Sequence, residues 1–586
     1  MKVLLSTLNS KYIHTALSLR YLKAFAEKET DVEIEIAEYT INQNINHIIG
    51  EIYRKMPDVL AFSVYIWNVS EILSISEAIK MLLPDVKIVL GGPEVSFETE
   101  SLIAENSAVD IVISGEGEIS FAEVLVALRG EKPLSTVLGI TYRDGDCAVV
   151  NPSRTELADL SEIPDVYSGD LEEYENKIIY YESSRGCPFN CKFCLSSTIK
   201  GVRFFDIERV KRDLKRFLDA KVKQVKFIDR TFNAKKAHAM EVLRYILEND
   251  NGYTNFHFEI TAHLLDDEMM ELLSTLPPGL VQFEIGVQST NSETIDAINR
   301  TTDFERLSKS VAKLRSLQNI HLHLDLIAGL PHEDYRSFEK SFNDVYSLKP
   351  EKLQLGFLKL LKGSSLRAER ELHGFKFIDR APYEVLENRY MPYSDMLRIK
   401  DIEELVEVYG NEKDFEKTVS YMIENIYRSP FRFYEALSEY WRENGHYESP
   451  HSKVVQYKLL KEFAEKKHGS DIDMMTELLR FDFVRNTRSP NVPEFLGGKS
   501  GELSKEEKYL LLRDEEMRNR YFGDVDERDY NKLHKKLHFE KFKYSMDGEP
   551  LESVYMFDYS VSERELQKSR VLDIKDELER VMRCLG

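Results

Sequence analysis

Cys187, Cys191 and Cys194 stand in one short run, Ser-Ser-Arg-Gly-Cys-Pro-Phe-Asn-Cys-Lys-Phe-Cys. Thiolates are soft ligands suited to iron–sulfur clusters, and three of them on a four-iron cluster leave one iron open. An open iron binds a substrate or cofactor directly instead of only relaying electrons. The chain holds five cysteines in 586 residues, so chance does not account for this spacing. The bland alternative is a structural zinc site with its fourth ligand elsewhere, and the cluster is preferred over it.

Such a site needs a scaffold, and 586 residues exceed one core, so roughly three or four domains are expected. A hydrophobic content of 42% suffices for packed interiors. The 101 acidic against 79 basic side chains, a formal charge of -22, disfavour a nucleic-acid backbone binder, which works through clustered Lys and Arg. With three cysteines committed to a cluster, Cys147 and Cys584 remain, so no disulfide framework is expected and a reducing cytoplasm fits. Met1 runs straight into Val3–Leu8 without a signal-peptide pattern, and no run of 18 apolar residues predicts a membrane span.

Val3–Leu8, Val32–Tyr39, Val59–Ile66, Lys87–Leu90 and Asp110–Ser114 read as strands, with helical stretches such as Tyr12–Glu27, Asn44–Lys55 and Val69–Leu83 between them. This alternation predicts a parallel, Rossmann-like α/β sheet over residues 1–132. Ligands of such sheets bind at the C-terminal strand ends, where Ser63, Gly91-Gly92 and Gly115-Glu116-Gly117 fall. A hairpin and linker follow over 133–176. Lys177–Glu182 then opens a second domain, in which Gln224–Ile228, His257–Thr261, Val281–Val287, His321–Ile327 and Lys352–Phe357 recur at helical intervals. Six βα repeats over 177–366 describe a partial barrel. Residues 367–586 read as mainly helical, with a hairpin of His538–Tyr544 and Val554–Tyr559 and a closing helix over Glu563–Arg583.

The motifs of the second domain resemble the radical S-adenosylmethionine superfamily. Cys187-x-x-x-Cys191-x-x-Cys194, with the aromatic Phe193 before the last cysteine, is similar to its cluster loop, and Glu284-x-Gly286-x-Gln288-Ser289 and Asp325-Leu-Ile-Ala-Gly-Leu-Pro are similar to its fourth and fifth strands. The spacing from Gln288 through Arg300 to Asp325 resembles that of oxygen-independent coproporphyrinogen oxidases. The resemblance implies a [4Fe–4S] cluster on Cys187, Cys191 and Cys194, which are then both metal ligands and catalytic residues. It also implies S-adenosylmethionine contacts from Phe193, Glu259, Gln288, Ser289, Arg300 and Asp325. Arg300 suits the methionyl carboxylate, and Asp325 and Glu259 suit ribose or the amino group.

The turns of the first domain resemble those of cobalamin-binding domains that precede such barrels. The resemblance implies a cobalamin tail held by Ser63, Gly91, Gly92, Gly115, Glu116 and Gly117. The Asp-x-His-x-x-Gly signature that supplies a lower cobalt ligand is absent after the first strand, where the chain reads Asn-Ser-Lys-Tyr-Ile-His14. His14 is expected inside the first helix in a packing or capping role. The C-terminal region resembles an uncharacterised extension of one group of cobalamin-type radical enzymes.

The combination implies a cobalamin-dependent enzyme that cleaves S-adenosylmethionine to a 5′-deoxyadenosyl radical and methylates an unactivated carbon or phosphorus of a small molecule. Its expected partner is a reductant such as flavodoxin or ferredoxin. The alternative is a radical cyclase, oxidant or rearrangement catalyst without net methyl transfer. An RNA-modifying enzyme is disfavoured by the acidic balance and by the lack of further cluster cysteines.

Overall fold

The computed structural model describes the chain apart from residues 170, 488–490, 522–535, 547–550, 561–568 and 584–586. It divides into two units, Met1–Phe338 with Leu355–Met396, and Glu339–Gln354 with Leu397–Gly586.

The first unit begins with β1 (Val3–Asn9), β2 (Ile34–Thr40), β3 (Val59–Ser63), β4 (Lys87–Gly91) and β5 (Ile111–Ile113). Helices α1 (Leu17–Glu29), α2 (Ile45–Lys55), α3 (Val69–Leu82), α4 (Thr99–Glu105) and α5 (Glu118–Leu128) alternate with them. Successive side chains of β1 serve opposite faces. Val3 and Leu5 join Leu19, Phe25 and Phe121 of α1 and α5 in one core, while Leu4 and Leu8 join Ile48, Ile52, Ile72 and Ile79 of α2 and α3 in another. Burial on both faces explains why the central strands are apolar throughout.

The segment expected as a separate hairpin and linker adds to this sheet. β6 (Ile140–Asp144) pairs antiparallel with β5, and β7 (Cys147–Val150) with β6, giving the order β2-β1-β3-β4-β5-β6-β7. The first helix starts at Leu17, so His14 lies in the turn before it. Residues 13–15 are held out of the helix by β8 (Ile178–Tyr181): Ile178 N–H donates to Ile13 O at 2.8 Å and Thr15 Oγ1 to Ile178 O at 3.0 Å. His14 Nδ1 is 2.7 Å from Tyr180 Oη.

β8 opens the partial barrel. A hairpin of β9 (Ser184–Cys187) and β10 (Gly201–Phe204) follows, then β11 (Gln224–Phe227), β12 (Asn255–Glu259), β13 (Val281–Gln288), β14 (His321–Ala328) and β15 (Lys352–Phe357). The sheet runs β15-β14-β13-β12-β11-β8, the six strands expected. Helix α6 (Ile207–Asp219) begins where Asp206 accepts the Arg209 N–H, an N-cap. Its Phe217 packs edge-on against Tyr181, which continues through Phe227 and Phe258 to Phe283 along the helix-facing side of the sheet.

The second unit is mainly helical, including Pro430–Glu443, Lys453–His468 and Ile472–Asn486. Buried Asp482 accepts the N–H groups of Lys417 and Thr418, satisfying the start of helix Glu416–Tyr421. Leu537–Phe542, Ser553–Asp558 and Arg570–Asp573 form an antiparallel sheet. The closing helix spans Lys575–Arg583; Arg570–Asp573, expected within it, forms a strand of that sheet, and the part of the expected helix at 563–568 lies outside the described residues. Among the described residues no helix is long and apolar enough to cross a membrane.

Candidate functional site

The cysteine loop hangs from the β9–β10 hairpin, with Cys187 opposite Gly201. A Cβ on Gly186 would meet the Gly201 carbonyl oxygen at 2.1 Å, so only glycine lets the two strands approach this closely. Beyond it, Lys192 N–H donates to Ile298 O at 2.9 Å and Asn299 Nδ2 to Asn190 O at 2.9 Å, fastening the loop to the segment that leads into Arg300. Phe193 packs with Ile298, Leu330 and Leu358. Cys191 is buried, and Cys194 accepts the Ser196 N–H at its sulfur, 3.4 Å away. Burial pushes the Cys187 and Cys191 thiols up, against the nearby Arg300 guanidinium. Among the described residues no three His, Cys, Asp or Glu side chains converge on one metal ion. Thiolates that each take a different iron of a cluster need not converge.

Period-two alternation sorts the barrel strands into two faces. Val225, Phe256, Phe258, Phe283, Leu322 and Leu324 are at most 1% exposed beneath the helices. The opposite, concave face carries Lys226 beside His257 in register, then Glu284 beside His323, then Gly286 beside Asp325. Lys226 Nζ is 3.1 Å from Glu284 Oε2, and His257 Nε2 lies 3.1 Å from the same oxygen, off a good hydrogen-bond line. The contact from His257 holds the Glu284 carboxyl down at about 2 against burial, with help from Lys226. The Lys226 and Glu284 side chains keep 25% and 23% of their surface, so this face is accessible where an eight-stranded barrel would be packed with branched side chains.

Three predicted cofactor residues stand toward the C-terminal ends of these strands: Glu259 and Gln288 end β12 and β13, and Asp325 lies three residues before the end of β14. Burial pushes Asp325 up to about 8, with Glu284 and Glu259 adding to it, and its Oδ1 is buried without a hydrogen-bond partner. Burial likewise raises Glu259, which ends β12. Gln288 sits at φ +71° where the β13–β14 register shifts after Gly286, a bulge that turns the strand end. Arg300 Nη2 donates to Gly286 O at 2.5 Å and Nε to Thr302 Oγ1 at 2.9 Å. An orphaned buried oxygen beside raised carboxyls fits a ligand that brings hydroxyl or ammonium donors, as S-adenosylmethionine does.

Two predicted contact residues have partners within the protein. Ser289 donates to Glu333 Oε1 at 2.6 Å and accepts the Asn291 N–H at 3.0 Å, so its hydroxyl holds the turn after β13. Glu116 gives both carboxylate oxygens to Arg203, at 2.5 and 3.0 Å, and accepts the Leu157 N–H at 3.0 Å. A charged partner so close in a part-buried place holds this carboxylate in a directed ion pair.

The other turn residues fit a close-lying ligand. Gly92 has φ +112°, and a Cβ there would meet Val64 O at 2.5 Å, which locks the ends of β3 and β4 together. Val64 N–H donates to Gly91 O at 2.7 Å, and buried Ser63 shares a 3.1 Å contact with Ser18 Oγ. Gly115 has φ +77° with open space where a side chain would be, and Gly117 precedes α5. Sequence reasoning passed over Lys226, His257, His323, Arg185 and Arg203; the strict alternation of polar residues in β12 and β14 is the signal that marks His257 and His323. A concavity of about 950 Å³ runs beside β2 along Lys2, Ile36 and Lys55, and none of the predicted site residues lines it.

Residues 181–345 match the Radical SAM superfamily, and residues 3–125 match the B12 binding domain. The chain is a radical SAM protein with an amino-terminal B12-binding domain. Residues 371–561 of this radical SAM protein match a family described as protein of unknown function, DUF4080. It is 27% identical over 350 residues to the cobalamin-dependent radical SAM methyltransferase TokK of Streptomyces tokunonensis, a match covering 56% of this chain and 51% of TokK. It is 31% identical over 310 residues to the uncharacterized methyltransferase PH0819 of Pyrococcus horikoshii, covering 49% and 66%. It thus spans about half the length of TokK. The fold is that of the cobalamin-dependent S-adenosylmethionine radical enzyme OxsB with aqua-cobalamin bound, at TM-score 0.59 and 16% identity over 91% of this chain and 83% of that one. The cofactors of this radical SAM protein are those of its two domains: a [4Fe–4S] cluster, S-adenosylmethionine and cobalamin.

Proposed function

We propose that the protein transfers a methyl group from S-adenosylmethionine to an unactivated carbon or phosphorus of a polar small molecule. The observation that carries the polar substrate is the concave barrel face, where Lys226 pairs with His257 in register, Glu259, Glu284 and His323 share the next level, and Asp325 stands beyond them. Charged and hydrogen-bonding side chains on an accessible face suit a substrate that brings polar groups of its own.

In this reading Cys187, Cys191 and Cys194 hold the cluster. Arg300, Asp325, Glu259 and Gln288 hold S-adenosylmethionine, Asp325 through the buried Oδ1 that has no partner in the chain. Ser63, Gly91, Gly92, Gly115 and Gly117 line the cobalamin tail, where the glycine backbone permits close approach. When bound, these groups supply one-electron cleavage of S-adenosylmethionine and carriage of the methyl group, chemistry that no side chain provides. The chain's own residues bind, orient and exclude water. A one-electron donor of the flavodoxin or ferredoxin type completes the system. The working division is 1–132, with the hairpin of 133–176 added to its sheet, then 177–366 and 367–586.

The test is anaerobic reconstitution with cobalamin, a reductant and methyl-labelled S-adenosylmethionine, with products read by mass spectrometry. S-Adenosylhomocysteine and labelled methylcobalamin beside 5′-deoxyadenosine support methyl transfer, and the label then traces the substrate. 5′-Deoxyadenosine and methionine alone, with cobalamin retained, move the protein to the cyclase or rearrangement class. Cys187→Ala should lose iron and 5′-deoxyadenosine together; a variant that released it at the parent rate would overturn the cluster assignment.

A further inference from the structure

We propose that Glu116, Arg203 and Arg185 form an ionic clamp that sets the position of the turn Ser114–Gly117 against the hairpin carrying Cys187, and thereby the spacing of the two cofactor sites. This inference rests on the function proposed above, since it gives the spacing a purpose.

Arg203 on β10 and Arg185 on β9 are paired in register, so both side chains leave the same face of the hairpin. Arg203 meets Glu116 with two guanidinium nitrogens on two carboxylate oxygens. Its Nη1 also donates to Leu157 O at 2.5 Å, while the Leu157 N–H closes the ring on Glu116. Arg185 approaches Glu116 at 3.8 Å, donates to Glu118 at the start of α5 at 2.6 Å and to Glu182 at 2.7 Å, and lies over the Tyr21 ring at 5.4 Å. These five charged side chains are only 8–17% exposed.

Apolar contact would hold two domains together as well or better, because removing charges from water costs nearly what their pairing returns. A bidentate pair adds direction: it fixes both the distance and the plane of approach. Here one end of the pair is Glu116, between Gly115 and Gly117, and the other is Arg203, opposite Arg185, which stands two residues before Cys187 on a glycine-tight hairpin. Glu182 extends the set, and burial drives its carboxyl up to about 7 despite Arg185, so the group tolerates three acids around two arginines. Glu116 is therefore a positioning residue and not a cofactor ligand.

The test uses the full chain with Glu116→Gln, and Arg203→Lys as a milder variant that keeps the charge and loses the planar fork. Amide hydrogen exchange of the apo chain is followed in 114–118 and 184–204, and bound cobalamin and iron are quantified after loading. The ratio of S-adenosylhomocysteine to 5′-deoxyadenosine is then measured. Exchange should rise in both segments together, cobalamin and iron should stay bound, and the product ratio should shift by on the order of tenfold to a hundredfold. Arg203→Lys should fall between parent and Glu116→Gln. Exchange that rises in 114–118 alone, or loss of cobalamin from Glu116→Gln, would overturn the clamp and return Glu116 to the cofactor. Absence of S-adenosylhomocysteine from the parent would sink the methyl-transfer reading instead, and the exchange result would still decide the clamp.

Discussion

Arg300 Nη1 lies 3.6 Å from the Cys191 sulfur, so the arginine assigned by motif spacing to S-adenosylmethionine also borders a cluster thiolate. A fixed positive charge there stabilises added negative charge on the cluster. Arg300→Gln should retain iron but move the cluster's reduction potential downward and slow formation of 5′-deoxyadenosine. A redox titration followed by electron paramagnetic resonance reads the first effect; an unchanged or raised potential would show that Arg300 exerts no such field.

Gly92 and Gly115 both have positive φ, yet only Gly92 faces backbone within 2.5 Å. Gly115→Ala should cost about 1 kcal/mol, the ordinary price of a left-handed alanine. Gly92→Ala must also part β3 from β4, and should cost about 3 kcal/mol or more and lower cobalamin retention. Urea unfolding and the absorbance of bound cobalamin check both; equal losses at the two positions would contradict the geometry.

Asp325, raised to about 8, keeps its proton through neutral pH in the folded chain. Unfolded, it loses that proton near about 4. Between those values the folded state binds the extra proton, so this residue's contribution to stability falls as pH rises and levels off above about 8. Asp325→Asn removes the slope. Its advantage over the parent should grow from pH 5 to pH 8 and then stay flat, read from unfolding midpoints of the apo chain; an advantage independent of pH would place Asp325 in water.

In the second unit Arg480 and Glu540 are 1% and 0% exposed, joined at Nε–Oε1 by 2.8 Å, with Arg480 Nη1 donating to Leu496 O. Glu540→Gln leaves a buried guanidinium without its counter-charge and should destabilise the protein by about 3–5 kcal/mol. The double change Arg480→Met with Glu540→Leu should recover most of that loss. Chemical unfolding distinguishes them; a double variant as unstable as the single one would mean that the pair is irreplaceable for its shape.

The strands β1–β5 and the barrel strands were legible because their apolar runs are long and bounded by turn residues, and the cysteine loop because its chemistry is local. Asp325 and Glu259 were placed by motif, and strand alternation puts them on one face with His257 and His323. The pairing of Glu116 with Arg203 is not legible in the sequence, because the partner is 87 residues away and no local pattern announces it. His14 was placed in a helix by amphipathic spacing, whereas the pull of Ile178 on Ile13 and Thr15 decides its conformation. The hairpin's attachment to β5 was likewise invisible, since an edge strand's neighbour is chosen by the fold and not by its own residues.

The separation of the barrel into an apolar outer face and a polar inner one has a consequence for how such a protein changes over generations. Its cohesion comes from Phe227, Phe258, Phe283 and their helix partners, none of which faces the pocket. If the inner face binds substrate as proposed, replacing an inner residue such as His257 or His323 would alter what is recognised while leaving the packed layer whole. A scaffold wired in this way can drift from one substrate to another by single substitutions, each tolerated on arrival, and selection can act on recognition almost independently of foldability.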